Sequence, residues 1–568
     1  MSKKTEQTIR EQLSEERKAL QEKGLVPEWM TTDGWGLFKS KYAVKGELGF
    51  NGRARTIAKT AASYLPNSKE WEEKFFNIIW NGWLSCSTPV LANTGTNRGM
   101  SVSCSGQYIG DSIDDFYTNL HESAMLSKYG FGTSAFLGDI RPRGAPISIG
   151  GRASGAAVVF SDFVTMAQKV SQGSNRRGAW AGYLPLMHGD FDELCDNISK
   201  NPDDCNVGWC IYDTDLESIK AADPETLRRL GKALKLKATQ GKGYFYFPDK
   251  VNRANPQMYK DKGLKVKSSN LCGEISLFQD KDHTYTCVLS SLNIAKYDEW
   301  KNTDCIFVAT VFLDCIAEDF IQKARGVSGF EKSVRFTEKG RALGLGVCGF
   351  HTYLQKQMIA LESLQAMFFN RQLFQEINQK SLEASKWMAI ELGEPEWCKG
   401  YGVRNTHRIA LPPTMSTAMI MGGVSQGIEP MIGNAFVASL AGGEANRVNP
   451  VFLNLLKSKG LYSEGLIKKI IDNNGSCQFM QELSEDEKLV FRTPPEMSQK
   501  ALLRLASQRQ PFLCQTQSLN LFFGEDATEE QIVDVHMDAF FDENCHSLYY
   551  LRMMAGVTGS TGECIACQ

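Results

Sequence analysis

The sequence of 568 residues has no excess of either charge: 63 lysines and arginines stand against 65 aspartates and glutamates, a formal net charge of -2. That balance offers no bulk attraction to a nucleic acid or an anionic membrane, so any phosphate must be held locally. No run of about 18 apolar residues occurs, which excludes a membrane-spanning helix. The charged opening "MSKKTEQTIREQLSEERKALQEKG" also lacks the apolar core of a secretory signal. Both absences point to a cytoplasmic chain, where 16 cysteines read as buried thiols or redox groups rather than a disulfide framework. The single C-x-x-C, Cys564 and Cys567, has no second C-x-x-C or nearby histidine pair to complete a four-ligand zinc site, so no metal is expected in this chain. Internal repeats and low-complexity linkers are absent too.

What is present is a change of pattern along the chain. Residues 1–85 are mostly helical, with "EWEEKFFNIIWNGWL" placing apolar side chains at helical spacing until "STPVLANTGTN" breaks it. In residues 112–130 a helix is expected, capped by Ser112 and ended by Gly130, with Ile113, Phe116, Tyr117, Leu120 and Ala124 on one apolar face. Short apolar segments then alternate with helices: "TSAFL", "GAAVVF", "GYFYF", "TCVLSSLNIA", "GLGVCGF" and "HRIALPP". This is an α/β pattern whose length, residues 86–552, suits a closed barrel. "GLGVCG" matches G-x-G-x-x-G but lacks the βαβ frame and acidic residue of a dinucleotide site, so its glycines are expected to permit close packing at a strand. Residues 553–568, rich in Gly, Ser and Thr, are expected to form a mobile tail.

Several short motifs carry chemistry. In "SSNLCGEISL", an extended backbone would turn Asn270, Cys272 and Glu274 to one side, placing a thiol, an amide and a carboxylate on one pocket wall. A thiol suits one-electron exchange of hydrogen with an activated C–H, and a carboxylate beside it suits removal of a hydroxyl proton. Cys104 in "SVSCSGQYIGDS" and Cys287 in "YTCVLSSLNIA" lie in strand-like contexts, where they either meet as a dithiol or remain separate core thiols. Cys564 and Cys567, on the tail, fit thiol–disulfide exchange. "LPPTMST" sets Pro413, Thr414, Met415, Ser416 and Thr417 before an apolar helical run, either an anion-binding helix start or an ordinary cap. Tyr549 and Tyr550 stand side by side in "HSLYYLRMM", where adjacent strand tyrosines usually give one packed and one exposed ring.

Together these motifs resemble the large catalytic subunit of class I ribonucleotide reductase, in the family's order, from about residue 85 to the C-terminus. The resemblance implies a ten-stranded α/β barrel, two five-stranded parallel halves antiparallel to each other, with Cys272 on a central finger loop. It implies reduction of ribonucleotides, most simply diphosphates, to 2′-deoxyribonucleotides. In that chemistry Cys272 becomes a thiyl radical that abstracts the 3′ hydrogen, Glu274 takes the 3′-hydroxyl proton, Asn270 holds a substrate hydroxyl, and Cys104 protonates the departing 2′-hydroxyl. Cys104 and Cys287 then form a disulfide that Cys564 and Cys567 reduce, with thioredoxin or a glutaredoxin-like protein as the external donor. Thr88, Ser103 and the Pro413 to Thr417 loop contact substrate. The oxidant arrives through Tyr550 and Tyr549 from a metallocofactor in a separate small subunit.

By the same resemblance, Asp111, Ser112 and Arg141 bind a dNTP or ATP effector, and Arg176 or Arg177 in "SQGSNRRGA" relays its identity to the substrate. A homodimer, formed with or without effector, is implied. Cys104 lies too near the start to leave room for an N-terminal ATP-cone, so none is expected. Two other readings remain: an adenosylcobalamin-dependent reductase, against which the tyrosine pair speaks, and a catalytically silent nucleotide-binding barrel, which would need none of the cysteines.

Overall fold

The computed structural model describes residues 3–102, 104–170, 178–201, 206–440 and 443–554. Helices Lys3–Glu22, Thr32–Lys41, Gly49–Ala62 and Ser68–Trp80 make up the N-terminal region. The third and fourth of these pack on the long helix Cys305–Ala324, the fourth also reaching Leu364–Leu392, and all share one buried cluster. Aromatic rings form the contact, Phe75 edge-on to Phe312 at 5.3 Å and Trp71 against Trp387 at 5.3 Å between centroids. No helix among the described residues is long and apolar enough to cross a membrane.

The rest is an α/β barrel. Strands Cys104–Tyr108, Gly132–Phe136, Trp180–Pro185, Asn206–Cys210 and Tyr244–Tyr246 pair in sequence order, all parallel. A second parallel half runs from Leu289–Asn293 to Gly344–Cys348, continues through single bridges Leu345 to Ile409 and Leu411 to Gln517, and ends with Leu521–Gly524 beside Leu551–Met554. Two antiparallel seams join the halves: Tyr285–Cys287 pairs with residues 104–106, and Ser547–Leu548 pairs with residues 245–246. Ten strand positions therefore close into a ring with few free edges. The five strands of the first half are buried almost throughout, as parallel strands covered on both faces should be.

Glycines set the interior spacing at two places. A Cβ on Gly106 would lie 2.0 Å from the Tyr285 ring, and one on Gly208 would lie 2.1 Å from the Tyr183 ring, each tyrosine being the glycine's direct cross-strand partner. The "GLGVCG" glycines behave as expected of packing residues: a Cβ at Gly346 would strike Pro412 at 2.5 Å and the Ala410 carbonyl at 2.9 Å.

Three expectations need revision. "GAAVVF" is not a strand but the start of helix Ala156–Lys169, because the apolar run continues at helical spacing through Phe163, Val164 and Ala167. Helix Ile113–Lys128 is capped by Ser112, whose Oγ accepts from the Asp115 N–H at 3.1 Å, and Phe116, Leu120 and Ala124 of its expected apolar face pack on the core, but the other two members of that face do not. Ile113 is 69% and Tyr117 59% exposed, whereas Asn119, Glu122, Ser123, Leu126 and Ser127 turn inward. Finally, residues 268–277 are not an extended strand.

Candidate active site

The segment 268–277 enters the barrel as an irregular loop held from both halves. A turn at its tip brings the Gly273 N–H to the Asn270 carbonyl at 3.4 Å, and Gly273 adopts φ +78°, which favours glycine at this position. From the first half, the Tyr183 hydroxyl donates to the Asn270 carbonyl (2.6 Å), Ser134 to the Ser269 carbonyl (3.0 Å) and the Tyr246 hydroxyl to Ser276 Oγ (3.0 Å). From the second half, Thr516 donates to the Gly273 carbonyl (2.6 Å) and Ser518 to the Cys272 carbonyl (2.7 Å). Side chains thus replace the missing ladder, and the loop is fixed without being a strand.

The tip brings Asn270 and Glu274 together by turning rather than by alternation. Asn270 Nδ2 donates to Glu274 Oε1 at 2.9 Å, and Ser518 Oγ donates to Oε2 at 3.1 Å. Glu274 is buried, and loss of hydration, with a smaller contribution from nearby Cys104, pushes its carboxyl up to about 8. A carboxyl poised near neutrality suits proton transfer to and from a hydroxyl.

Cys104 and Cys287 are direct partners across the antiparallel seam. Their side chains leave the same face of the sheet. Cys104, Glu274, Thr88, Pro413, Thr414, Ser416 and Thr417 all line one pocket. Cys104, Cys272 and Cys287 belong to one contiguous buried cluster that also holds Tyr549 and Tyr550. Met415 does not line the cavity. Thr414 precedes helix Met415–Ile420 without capping it, its Oγ1 accepting instead from the Gly427 N–H at 2.7 Å.

Tyr549 and Tyr550 are both buried, so neither ring is the exposed one expected of such a pair; their centroids lie 4.1 Å apart. Away from the cavity, Arg141 Nε donates to Asp111 Oδ2 at 2.5 Å, beside the Ser112 cap. Ser103, Arg176, Arg177, Cys564 and Cys567 lie outside the described residues. Among the described residues, no group of three or more His, Cys, Asp or Glu side chains is placed to hold a metal.

Sequence reasoning missed several groups. Ser85, Ser87, Ser290 and Ser291 line the same cavity, and Ser518 bridges Glu274 to the Cys272 carbonyl. Serine is too common for its position to carry a signal, and strand pairing alone brings residues 84–86 beside residues 290–292. Tyr244 was more accessible to such reasoning, because "GYFYF" alternates aromatic residues and so aims Tyr244 and Tyr246 at one face.

A closed ring of two parallel five-stranded halves around a loop bearing Cys272 and Glu274 is the architecture of ribonucleotide reductase. The chain matches the family model "Ribonucleotide reductase, all-alpha domain" over residues 31–99 and "Ribonucleotide reductase, barrel domain" over 102–229, 216–399 and 395–551, and it belongs to the ribonucleotide reductase large-subunit family. Among solved structures it is similar to the Actinobacillus ureae class Id ribonucleotide reductase alpha subunit, with TM-score 0.87 and 36% identity over 93% of this chain and 98% of that one. A Frog virus 3 (isolate Goorha) protein described as a ribonucleoside-diphosphate reductase large subunit is 32% identical over 541 residues, 89% of this chain and 94% of its own length. A vitamin B12-dependent ribonucleoside-diphosphate reductase of Mycobacterium tuberculosis (strain CDC 1551 / Oshkosh) is 28% identical over 510 residues, 84% of this chain and 71% of its own.

Proposed function

We propose that this chain reduces ribonucleoside diphosphates to 2′-deoxyribonucleoside diphosphates by a thiyl radical at Cys272. The observation that carries the proposal is the convergence of Glu274, Cys104 and the hydroxyls of Thr414, Ser416 and Thr417 around one pocket, with Cys287 directly opposite Cys104 on the neighbouring strand. The Cys272 radical removes the substrate's 3′ hydrogen atom while Glu274, paired to Asn270, takes the 3′-hydroxyl proton. Cys104 gives a proton to the 2′-hydroxyl, which leaves as water. Cys104 and Cys287 supply two electrons and become a disulfide, and Cys272 returns its hydrogen to C3′, regenerating the radical. A burial this complete keeps the radical from water and stray reductants. Ser103 and Thr88 complete the sugar contacts and the hydroxyls of residues 413–417 hold the diphosphate.

The initiating oxidation comes from a radical-bearing metallocofactor in a separate small subunit, through Tyr550 and Tyr549, whose buried rings, 4.1 Å apart between centroids and tilted by 46°, support that route. Cys564 and Cys567 reopen the disulfide and are themselves reduced by a thioredoxin- or glutaredoxin-like donor. A dNTP or ATP effector binds near Asp111, Ser112 and Arg141, with Arg176 or Arg177 relaying its identity. The outward apolar residues Ile113 and Tyr117 beside that site support pairing of two copies through this helix.

Similarity to B12-dependent reductases favours one competing reading, in which adenosylcobalamin makes the radical. Reduction of a nucleoside diphosphate is therefore measured with a metal-radical small subunit, with adenosylcobalamin, and with neither. Product in the first arm alone is expected; product with adenosylcobalamin alone would reject the two-subunit reading.

A further inference from the structure

Tyr549 and Tyr550 are not an isolated pair. Tyr244, the first residue of strand Tyr244–Tyr246 on the opposite barrel half, closes a triangle with them. Its ring centroid lies 4.7 Å from that of Tyr549 and 5.5 Å from that of Tyr550, and its hydroxyl donates to the Tyr550 hydroxyl at 3.3 Å. All three rings are buried in the cluster that contains Cys272.

The triangle is held by backbone contacts independent of the rings. Lys237, fully buried on helix Pro224–Gln240, donates from Nζ to the Gly243 carbonyl at 3.0 Å and also to the Tyr549 carbonyl. One side-chain Nζ thus ties the residue before Tyr244 to the backbone of Tyr549 across the seam between the halves. The Tyr550 N–H is fixed by Asn520 Oδ1 at 2.9 Å, and the Tyr549 N–H by the Leu519 carbonyl at 2.8 Å. Three phenol rings are therefore fixed at contact distance, and a hydrogen bond already lies along the line on which a hydrogen atom would move.

We propose that Tyr244 is a third redox-active member of the relay, exchanging the radical with Tyr550. The inference rests on the two-subunit reading above, in which the partner's oxidant removes one electron and one proton from Tyr550. The exchange is then balanced within the chain. The O–H bond of Tyr244 breaks and an O–H bond forms on the Tyr550 oxygen, one hydrogen atom crossing the existing hydrogen bond, so the phenoxyl moves to Tyr244 with no further oxidant. Reversal returns the radical to Tyr550 and onward through Tyr549 to Cys272. Two nearly equivalent phenols sharing one radical lower the cost of holding it during transfer. Lys237 is a positioning residue for the triangle.

The test places 3-aminotyrosine, whose radical is easier to form and to trap, singly at position 244 or 550 of the full chain. Each protein is mixed with the small subunit, nucleoside diphosphate and effector, and followed by electron paramagnetic resonance. A trapped aminotyrosyl radical at both positions is expected. A radical at 550 with none at 244 would overturn the proposal for Tyr244 and leave the parent reading intact; none at either position would overturn the parent reading. Tyr244→Phe, which keeps the ring and its packing, should lower turnover about tenfold through loss of the shared hydrogen bond. KM for the nucleotide should be unchanged, and full turnover in that variant would also contradict the relay role.

Discussion

Cys104 stands directly opposite Cys287 where the two halves of the barrel meet antiparallel. Opposed residues in such a ladder have Cα atoms about 4.5–5.5 Å apart, within the span of about 4.4–6.8 Å that a disulfide accepts. The two sulfurs can therefore join and part with little movement of either strand. A single turnover without external reductant should leave one disulfide linking the peptides of these residues, detectable by alkylation and non-reducing peptide mapping. Cys287→Ser should stop sustained turnover, and a variant that still cycles with a thioredoxin-type donor would remove the pair from the chemistry.

Glu274 gives the reaction a pH signature. Its carboxyl is held near 8, so the ionised form that accepts a proton grows as pH rises, and kcat should climb through about pH 8. Glu274→Gln should lose about 10²- to 10⁴-fold in kcat. The stability consequence has the opposite sense. Because the folded chain binds this proton more tightly than the unfolded one, whose glutamate titrates near about 4.3, the folded state loses stability as pH rises from there toward 8. Urea midpoints of Glu274→Gln should fall less across that window than those of the parent; equal slopes would show that this carboxyl is not shifted.

Ser518 has two acceptors, the Cys272 carbonyl and Glu274 Oε2, and its loss should act on both. Removing a donor from a carboxylate disfavours the ionised form, so Ser518→Ala should move the alkaline rise in kcat to still higher pH. Ser518→Thr keeps the hydroxyl and should restore the parent profile. An unshifted profile in the alanine variant would mean that the serine only packs.

Gly106 tests the barrel wall itself. A methyl there would lie 2.0 Å from the Tyr285 ring, on the strand that carries Cys287. Gly106→Ala should cost about 1–3 kcal/mol through overpacking, measured by denaturant unfolding. The same variant made with Tyr285→Phe should recover little, since the clash is with the ring and not only its hydroxyl.

How much of this was legible in the residues follows from which signals are local. Period and punctuation sufficed for the helical opening, for the strands at 132–136 and 344–348, and for the Ser112 cap. The closure of the barrel followed from the motif order rather than from periodicity, because the bridges at Ile409 and Gln517 belong to segments too short to show alternation. "GAAVVF" misled because five apolar residues in a row fit a buried strand and a buried helix equally. The face of helix Ile113–Lys128 was legible in part: Phe116, Leu120 and Ala124 pack inward, but Ile113 and Tyr117 face out while the polar Asn119 and Glu122 are buried, which apolar spacing does not signal. Asn270, Cys272 and Glu274 were grouped through an extended backbone, but Gly273 makes a turn, and the Asn270 to Glu274 hydrogen bond does the gathering. Ser518, Lys237 and the cavity serines reach the site only through tertiary contacts, for which one chain's sequence holds no local mark.

The most direct measurement replaces the sulfur on the finger loop. Cys272→Ala, assayed with the metal-radical small subunit, a nucleoside diphosphate, effector and dithiol, should form no deoxynucleotide while binding substrate as tightly as the parent. Deoxynucleotide formed by that variant would contradict a radical at Cys272.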